Sequence, residues 1–82
     1  EKWRMFIFDI PEKQRSRRDQ MRKKLKELGM FTIQRSVFVY PYDCRRELEQ
    51  LAAYYGVSRY ATYVEASFVD TDKQLRKHFA LP

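Results

Sequence analysis

Cysteine and histidine are nearly absent from the sequence, which contains one of each among its 82 residues. Cys44 has no partner for an internal disulfide bond, and a chain with one cysteine and one histidine cannot build the common zinc sites. No apolar run approaches the roughly 20 residues that cross a bilayer, and no secretory signal stands at the N-terminus. A lone thiol without a secretory signal predicts a cytoplasmic protein.

Glycine and proline are also scarce, with two and three residues respectively. This low content, together with 44% hydrophobic and 16% aromatic residues, excludes a low-complexity or disordered chain. There is no glycine-rich phosphate loop, which argues against nucleotide hydrolysis. The length predicts one domain over residues 1–82, with one small core. A start at Glu1 instead of Met is consistent with a domain excised from a longer chain.

The excess of positive charge is confined to the first part of the chain. Residues 1–36 contain eleven Lys and Arg against five Asp and Glu, whereas residues 37–82 contain six of each. Eight of the basic residues lie between Lys13 and Lys26, where Asp19 is the only acid. Such a field favours nucleic acid as a partner, ahead of an anionic membrane. The alternative is a solvated helix face that keeps the protein soluble.

Hydrophobic patterning predicts alternating strands and helices. The apolar run at 3–10 is a buried strand that ends at Pro11, and residues 59–69 form a last strand. Residues 30–40 are either two strands joined by a tight turn or one bent strand. The predicted helix boundaries are Ser16 and Gly29 for the first helix, Asp43 and Gly56 for the second, and Thr71 for the start of a short third helix.

The order β-α-β-β-α-β predicts an α+β, ferredoxin-like fold, in which a four-stranded antiparallel sheet carries two helices on one face, followed by a short C-terminal helix. A lone copy would expose the other face, yet the first strand is apolar on both faces. An exposed apolar face of that size predicts a cover, either a neighbouring domain or a second copy in a two-fold dimer. The residues predicted at the dimer contact are Phe6, Phe8 and Phe38.

Asp9 lies near the end of an apolar strand, where a carboxylate costs desolvation energy unless it is paired or bound to metal. One interpretation is a ligand for Mg²⁺ or Mn²⁺, completed by Asp9 of a second copy across a two-fold axis. The alternative is a structural carboxylate that pairs with Arg35 or caps the turn at Pro11. A lone Asp is a weak motif, so the sequence favours the structural interpretation.

Cys44 and His78 offer little chemistry. Cys44 opens the second predicted helix, where a helix N-terminus would lower the pKa of a thiol, but with no histidine nearby in sequence it is interpreted as a small structural residue. His78 lies on the terminal helix and is interpreted as a surface or packing residue. The RNA-recognition motif shares the predicted fold, but the stretch 35–40 lacks the small residues of its signature, so RNA binding ranks third.

Three segments in combination resemble a known family. They are WRMFIFDIPE at 3–12, the basic helix ending in Leu28-Gly29, and QRSVF at 34–38, and they resemble Cas2, the CRISPR-associated protein that partners the integrase in spacer acquisition. The resemblance implies a dimeric, metal-dependent endonuclease with Asp9 at the position of the proposed metal ligand. The form FDIPE and the continuation VFVYP at 37–41 are more similar to the Cas2-like domain of PaaX-type transcriptional repressors, in which a winged-helix domain precedes this domain.

Two functions therefore compete. The first is a homodimeric scaffold that binds nucleic acid, either in a PaaX-like regulator with its winged-helix domain or in a CRISPR acquisition complex of antiviral defence with its integrase. The alternative is an Mg²⁺- or Mn²⁺-dependent endonuclease acting on DNA or RNA, with paired Asp9 residues and with Arg35 or Arg15 positioning the phosphate. One acidic residue per subunit provides few ligands for a catalytic metal ion, so the scaffold function is favoured over the endonuclease. The residues predicted to contact nucleic acid are Arg15, Arg17, Arg18, Arg22, Lys23, Lys24, Lys26 and Arg35.

Overall fold

The computed structural model describes residues 2–82, which form one four-stranded sheet and three α-helices. Their order is the predicted β-α-β-β-α-β followed by a further helix, so the fold is α+β and ferredoxin-like. No helix in these residues is long and apolar enough to cross a bilayer. The elements are β1 (Trp3–Phe8), α1 (Arg15–Glu27), β2 (Phe31–Gln34), β3 (Val37–Tyr40), α2 (Arg45–Tyr54), β4 (Ala61–Ala66) and α3 (Asp72–His78), with 3₁₀ turns at Glu12–Gln14 and Ser58–Tyr60.

The sheet is antiparallel, with strand order β2-β3-β1-β4. β1 lies inside it, so that Phe6 stands opposite Phe38 of β3 and opposite Tyr63 of β4. Residues 30–40 contain two strands joined by a two-residue turn, which decides between the two predicted alternatives. The turn is anchored beside the end of β1, because the Phe8 amide donates a hydrogen bond to the Ser36 carbonyl oxygen at 3.1 Å.

α1 and α2 cover the sheet face that carries Phe6, Phe8 and Phe38. These side chains pack with Met21 of α1 and Leu48 of α2 in the larger core cluster. Their exposed fractions are 2%, 2% and 0%, so they belong to the core of a single chain and their prediction as a dimer contact is wrong. Both alternating sets of residues in β1 are apolar, and the pattern therefore did not show which set the helices would cover.

α3 packs against one end of the opposite sheet face. Leu75 forms a second, smaller core cluster with Trp3 and Val39. The Trp3 indole Nε1 donates a hydrogen bond to Asp72 Oδ1 at 2.7 Å, which fixes the start of α3 to the start of β1. The predicted terminal helix is confirmed. It also supplies, from the same chain, part of the cover that the sequence assigned to a partner.

The rest of this face has no cover within the described residues. Ile7 and Val37 are directly opposed on β1 and β3, and Val64 lies on β4 on the other side of β1. All three are half-buried, and none belongs to either core cluster or packs against one. We call these three residues the open sheet face.

Two glycines end α1 and α2 as the sequence predicted. Gly29 and Gly56 have φ values of 94° and 70°, in the left-handed region that favours glycine. The amide of the residue after each glycine donates back into the last helical turn, from Met30 to the Leu25 carbonyl oxygen at 3.2 Å and from Val57 to that of Ala52 at 2.9 Å. Both helices thus end in a Schellman motif.

The start of α1 differs from the prediction. Ser16 lies inside the helix, because the 3₁₀ turn at Glu12–Gln14 runs directly into α1 and Gln14 occupies the cap position. Asp43 does contribute at α2, where its Oδ1 accepts a hydrogen bond from the Arg45 amide at 3.3 Å. The cap position of α2 is nevertheless Cys44, one residue after the predicted Asp43. Thr71 occupies the cap position of α3 as predicted, but its side chain makes no capping hydrogen bond.

Candidate nucleic-acid interface

α1 buries a narrow apolar stripe and presents a broad basic surface. Met21 and Leu25 are fully buried, and every other position of the helix is polar or charged. At 3.6 residues per turn the polar positions divide into an outer flank, a crest and an inner flank that faces α2. The basic residues are Arg15, Arg18, Arg22 and Lys26 on the outer flank, Lys23 on the crest, and Arg17 and Lys24 on the inner flank.

Part of the outer flank is neutralised by acids at the start of the helix. Arg15 Nη1 donates to Glu12 Oε2 at 3.1 Å, and Arg18 Nη1 donates to Glu12 Oε1 at 3.3 Å. Arg18 Nε also donates to Asp19 Oδ1 at 3.3 Å. The Arg18 side chain is 17% exposed, so its guanidinium holds the start of α1 in place. Arg15 and Arg18 are therefore less available for phosphate than the sequence indicated.

The remaining cations of α1 are less constrained. Lys24 makes one marginal contact, 4.0 Å from Glu27. Arg22 is half-buried and its Nε has no hydrogen-bond partner within the described chain. The cations of α1 that form no ion pair with residues 2–82 are Arg17, Arg22, Lys23 and Lys26. Uncompensated cations on one helix are the arrangement that binds a phosphate backbone.

Arg35 and Asp9 lie apart from α1, at the end of β1. Arg35 is exposed in the β2–β3 turn, and Asp9 is exposed directly after β1, where its amide donates to the Tyr60 carbonyl oxygen at 2.9 Å. No ion pair joins Asp9 to Arg35 in the part of the chain that the structure describes, so the predicted pairing is wrong. Because the Asp9 carboxylate is exposed, it does not pay the desolvation cost expected of a carboxylate inside an apolar strand.

Asp9 stands outside any three-residue cluster of candidate metal ligands in the described part of the chain. Among residues 2–82, no three side chains of the His, Cys, Asp or Glu type lie together as candidate ligands. Mg²⁺ is usually held by one or two carboxylates together with water and phosphate oxygens, and Asp9 supplies one carboxylate per chain. The predicted second carboxylate is Asp9 of a second copy. The metal-dependent nuclease and the catalytic role of Asp9 stay predictions.

Cys44 has the environment of a packing residue. Its thiol has a pKa raised to about 11, first because burial disfavours the thiolate and then because Glu47 and Asp43 add negative charge nearby. The expectation that the helix N-terminus would lower this pKa is therefore wrong. His78 is exposed, and its ring lies 4.7 Å from that of Phe31, as expected of a surface and packing residue.

Sequence reasoning missed one exposed side chain beside the basic surface. Tyr54 is 81% exposed at the end of α2, close to Arg17 of the inner flank. A signal for it exists in the sequence. Leu48, Ala52 and Tyr55 mark the buried stripe of α2, and a residue one position before Tyr55 must point about 100° away from that stripe.

Comparison with known proteins identifies one family. The family described as the PaaX protein central Cas2-like domain matches residues 1–78, from before β1 to the end of α3. No curated protein and no solved structure matches the chain significantly. The match agrees with the resemblance carried by WRMFIFDIPE, the basic helix and VFVYP. The chain therefore belongs to the family of PaaX central Cas2-like domains.

Proposed function

We propose that the chain is the dimerisation and DNA-binding module of a PaaX-like transcription regulator that acts in the cytoplasm. Membership of the PaaX central domain family supports the regulatory context. The observation that carries DNA binding is the set of α1 cations without ion pairs in the described chain, represented by Arg22, Lys23 and Lys26. The partner follows from their chemistry, because a row of free cations is complementary to a polyanion.

The length of α1 suits contact with one DNA strand. Its 13 residues span about 20 Å at 1.5 Å per residue. One strand of B-DNA carries a phosphate about every 3.4 Å along the axis, so this span contains about six phosphates. A straight helix faces only some of them, because the strand winds around the axis. The contacts would position the protein on the duplex without reading its sequence, because phosphates carry no base information. Sequence choice would then belong to another part of the regulator, such as a winged-helix domain.

Homodimerisation is the second part of the proposal, and the open sheet face supports it. Ile7 and Val37 are directly opposed on adjacent strands, Val64 lies on the same face opposite Met5, and none of the three belongs to either core cluster. A two-fold dimer that stacks these faces would bury the three side chains of each copy. α1 and α2 lie on the other face of the sheet, so the dimer would leave both basic surfaces free for DNA.

The DNA-binding test compares two triple variants of equal charge. Arg22→Ala, Lys23→Ala and Lys26→Ala are combined in one variant, and fluorescence anisotropy with a labelled duplex is measured over a series of salt concentrations. We expect weaker binding and a slope of log affinity against log salt that is smaller by about 2.7, since each lost phosphate contact removes about 0.9.

The matched control removes three exposed cations outside α1, with Arg46→Ala, Lys73→Ala and Lys77→Ala in one chain. The control should keep most of the affinity and slope of the wild type. Equal losses in the two variants would mean that net charge alone governs binding. Wild-type behaviour of the α1 variant would contradict the proposed DNA contact.

A further inference from the structure

A shallow cleft lies between α1 and α2, next to the basic surface. We call it the interhelical cleft, and its lining residues are Arg17, Gln20, Tyr54, Tyr55 and Gly56. Arg17 and Gln20 are one turn apart on the inner flank of α1, so their side chains leave the helix on the same side. The tyrosines and Gly56 form the C-terminal end of α2. The cleft is therefore built by two elements that the sheet holds in a fixed relation.

Arg17 lies directly against the backbone at Gly56. A Cβ atom placed on Gly56 would stand 3.1 Å from Arg17 Nη1, which is closer than ordinary packing. Gly56 thus has two roles, since its positive φ of 70° ends α2 and its missing side chain admits the guanidinium. Arg17 forms no ion pair or side-chain hydrogen bond within residues 2–82, so its five N–H donors are unused.

Tyr54 presents a second donor at the same cleft. Its side chain is 81% exposed, and the ring of Tyr55 supports it edge-on at 5.0 Å between ring centroids. A ring held in this way exposes its hydroxyl group to solvent with less freedom than an unsupported side chain. Gln20 adds an amide that is exposed on α1. Guanidinium, phenol and amide donors therefore surround one small surface.

Among the described residues, no carboxylate lines the interhelical cleft. The neighbouring depression on the other side of Gln20 is different, because Glu12 and Asp19 line it together with Arg15. An unpaired guanidinium with neutral donors and no acid favours an anion with several acceptor oxygens. A phosphodiester group has this chemistry, and the proposed function places a phosphate backbone against α1.

We infer that the interhelical cleft binds one backbone phosphate of DNA, held by the Arg17 guanidinium and the Tyr54 hydroxyl group. The inference rests on the proposed function and deepens it, because it extends the DNA contact from α1 to the end of α2. Phosphates held by two separate elements fix the angle at which the duplex crosses the domain, whereas a single helix leaves that angle free to vary.

The test uses Arg17→Ala and Tyr54→Phe, with the anisotropy and salt series described above. Arg17→Ala should weaken binding and reduce the salt slope by about 0.9, the value for one lost phosphate contact. Tyr54→Phe removes one neutral donor and keeps the ring. It should therefore lower affinity by up to about tenfold, consistent with a hydrogen bond to a charged group, and leave the slope unchanged.

Matched controls remove the same groups at other places. Arg46→Ala deletes an exposed cation of α2 outside the cleft, and Tyr42→Phe deletes the hydroxyl group of another exposed tyrosine. Both should bind DNA as the wild type does. Thermal unfolding of every variant separates a lost contact from a lost fold.

The outcomes distinguish this inference from the proposed function. If the wild type binds DNA and the Arg22, Lys23 and Lys26 variant loses binding while Arg17→Ala and Tyr54→Phe do not, the cleft inference alone is overturned. If the wild type does not bind duplex DNA, both fail together. If Tyr54→Phe binds normally but Tyr54→Ala does not, and single-stranded DNA is preferred, the ring stacks on bases and the hydroxyl assignment is wrong.

Discussion

Ala80 has a positive φ of 55°, and in the described chain it is the only residue other than glycine that does. It ends α3 in the same way that glycines end α1 and α2, with the Leu81 amide donating to the Arg76 carbonyl oxygen at 2.8 Å. A side chain in this conformation costs about 1 kcal/mol. Ala80→Gly should raise the free energy of unfolding, measured by urea denaturation, by roughly 0.5 kcal/mol. The gain is smaller than the relieved strain because glycine increases the conformational entropy of the unfolded chain.

Ala53→Gly is the matched control, since Ala53 is exposed inside α2 with ordinary helical geometry. There the same change should lower the free energy of unfolding by about 0.5–1 kcal/mol. Opposite signs at the two positions are the expected result. A loss of stability in Ala80→Gly would show that the left-handed conformation is not strained.

Cys44 gives a prediction about pH. Its pKa is raised from 9.0 to about 11 in the folded chain, so the folded state holds its proton more tightly than the unfolded state does. The resulting stabilisation is present below pH 9 and is lost as the pH rises towards 11. At pH 8 the folded thiol should react with iodoacetamide about 100-fold more slowly than in urea-unfolded protein. Equal rates in the two states would contradict the burial argument.

A feature of a single residue could be predicted from the sequence when its cause lay in that residue or in its immediate neighbours. Gly29 and Gly56 were identified as helix ends because a positive φ is a property of the residue itself. Phe6 and Ile7 could not be assigned to the correct faces, because both are apolar and the choice depends on where distant helices pack. The pairing of Asp9 with Arg35 failed for a similar reason, since it depends on the relative placement of two residues that are distant in sequence.

The docking of α3 depends on one carboxylate at its start. Asp72 accepts hydrogen bonds from the Trp3 indole at 2.7 Å and from Arg76 Nε at 2.8 Å. These two donors, the indole first, lower the pKa of Asp72 from its usual 3.8. A lowered pKa means that the stabilisation is present above pH 3.8 and is lost as the pH falls through the folded value.

Trp3 is the sole tryptophan, so its fluorescence reports on this contact directly. Acid titration should change the Trp3 emission before the helical circular dichroism signal of α1 and α2 is lost. Asp72→Asn keeps an acceptor oxygen but removes the charge, and it should abolish the acid transition in the Trp3 signal. A transition that persists in this variant would assign it to another group.

At the level of elements, the sequence identified α1 as the basic helix but not how its charge is distributed. The cluster of cations was evident from the sequence itself. The neutralisation of Arg15 and Arg18 by Glu12 could not be predicted, because it depends on the 3₁₀ turn that folds Glu12 back over the start of α1. The inner flank became visible only when Tyr54 and Gly56 of α2 were placed beside it.

The whole molecule is expected to pair through the open sheet face. Val37→Glu places a charge on that face, directly opposite Ile7, and the proposed dimer should dissociate because the carboxylate would be buried without a partner. Sedimentation velocity over a range of protein concentrations measures the change. Circular dichroism checks that the monomer is folded.

Phe68→Glu is the control for that experiment, because Phe68 is 76% exposed in the loop before α3 and lies outside the open sheet face. It introduces the same charge in place of an apolar side chain and should leave the dimer intact. A dimer that survives Val37→Glu would move the interface elsewhere. Dissociation in both variants would point to a contact near α3.

The central position of β1 also bears on how the chain is made. Within this domain β1 is translated before the other strands, yet Trp3 must pair with Ala66 of β4, which is translated some sixty residues later. Translation adds about 5–20 residues per second, so β1, which is almost wholly apolar, remains unpaired with β4 for several seconds. The segment that emerges directly behind it is the most basic part of the molecule, and like charges keep nascent chains apart. The cations of α1 are thus expected to reduce association between nascent β1 strands during translation.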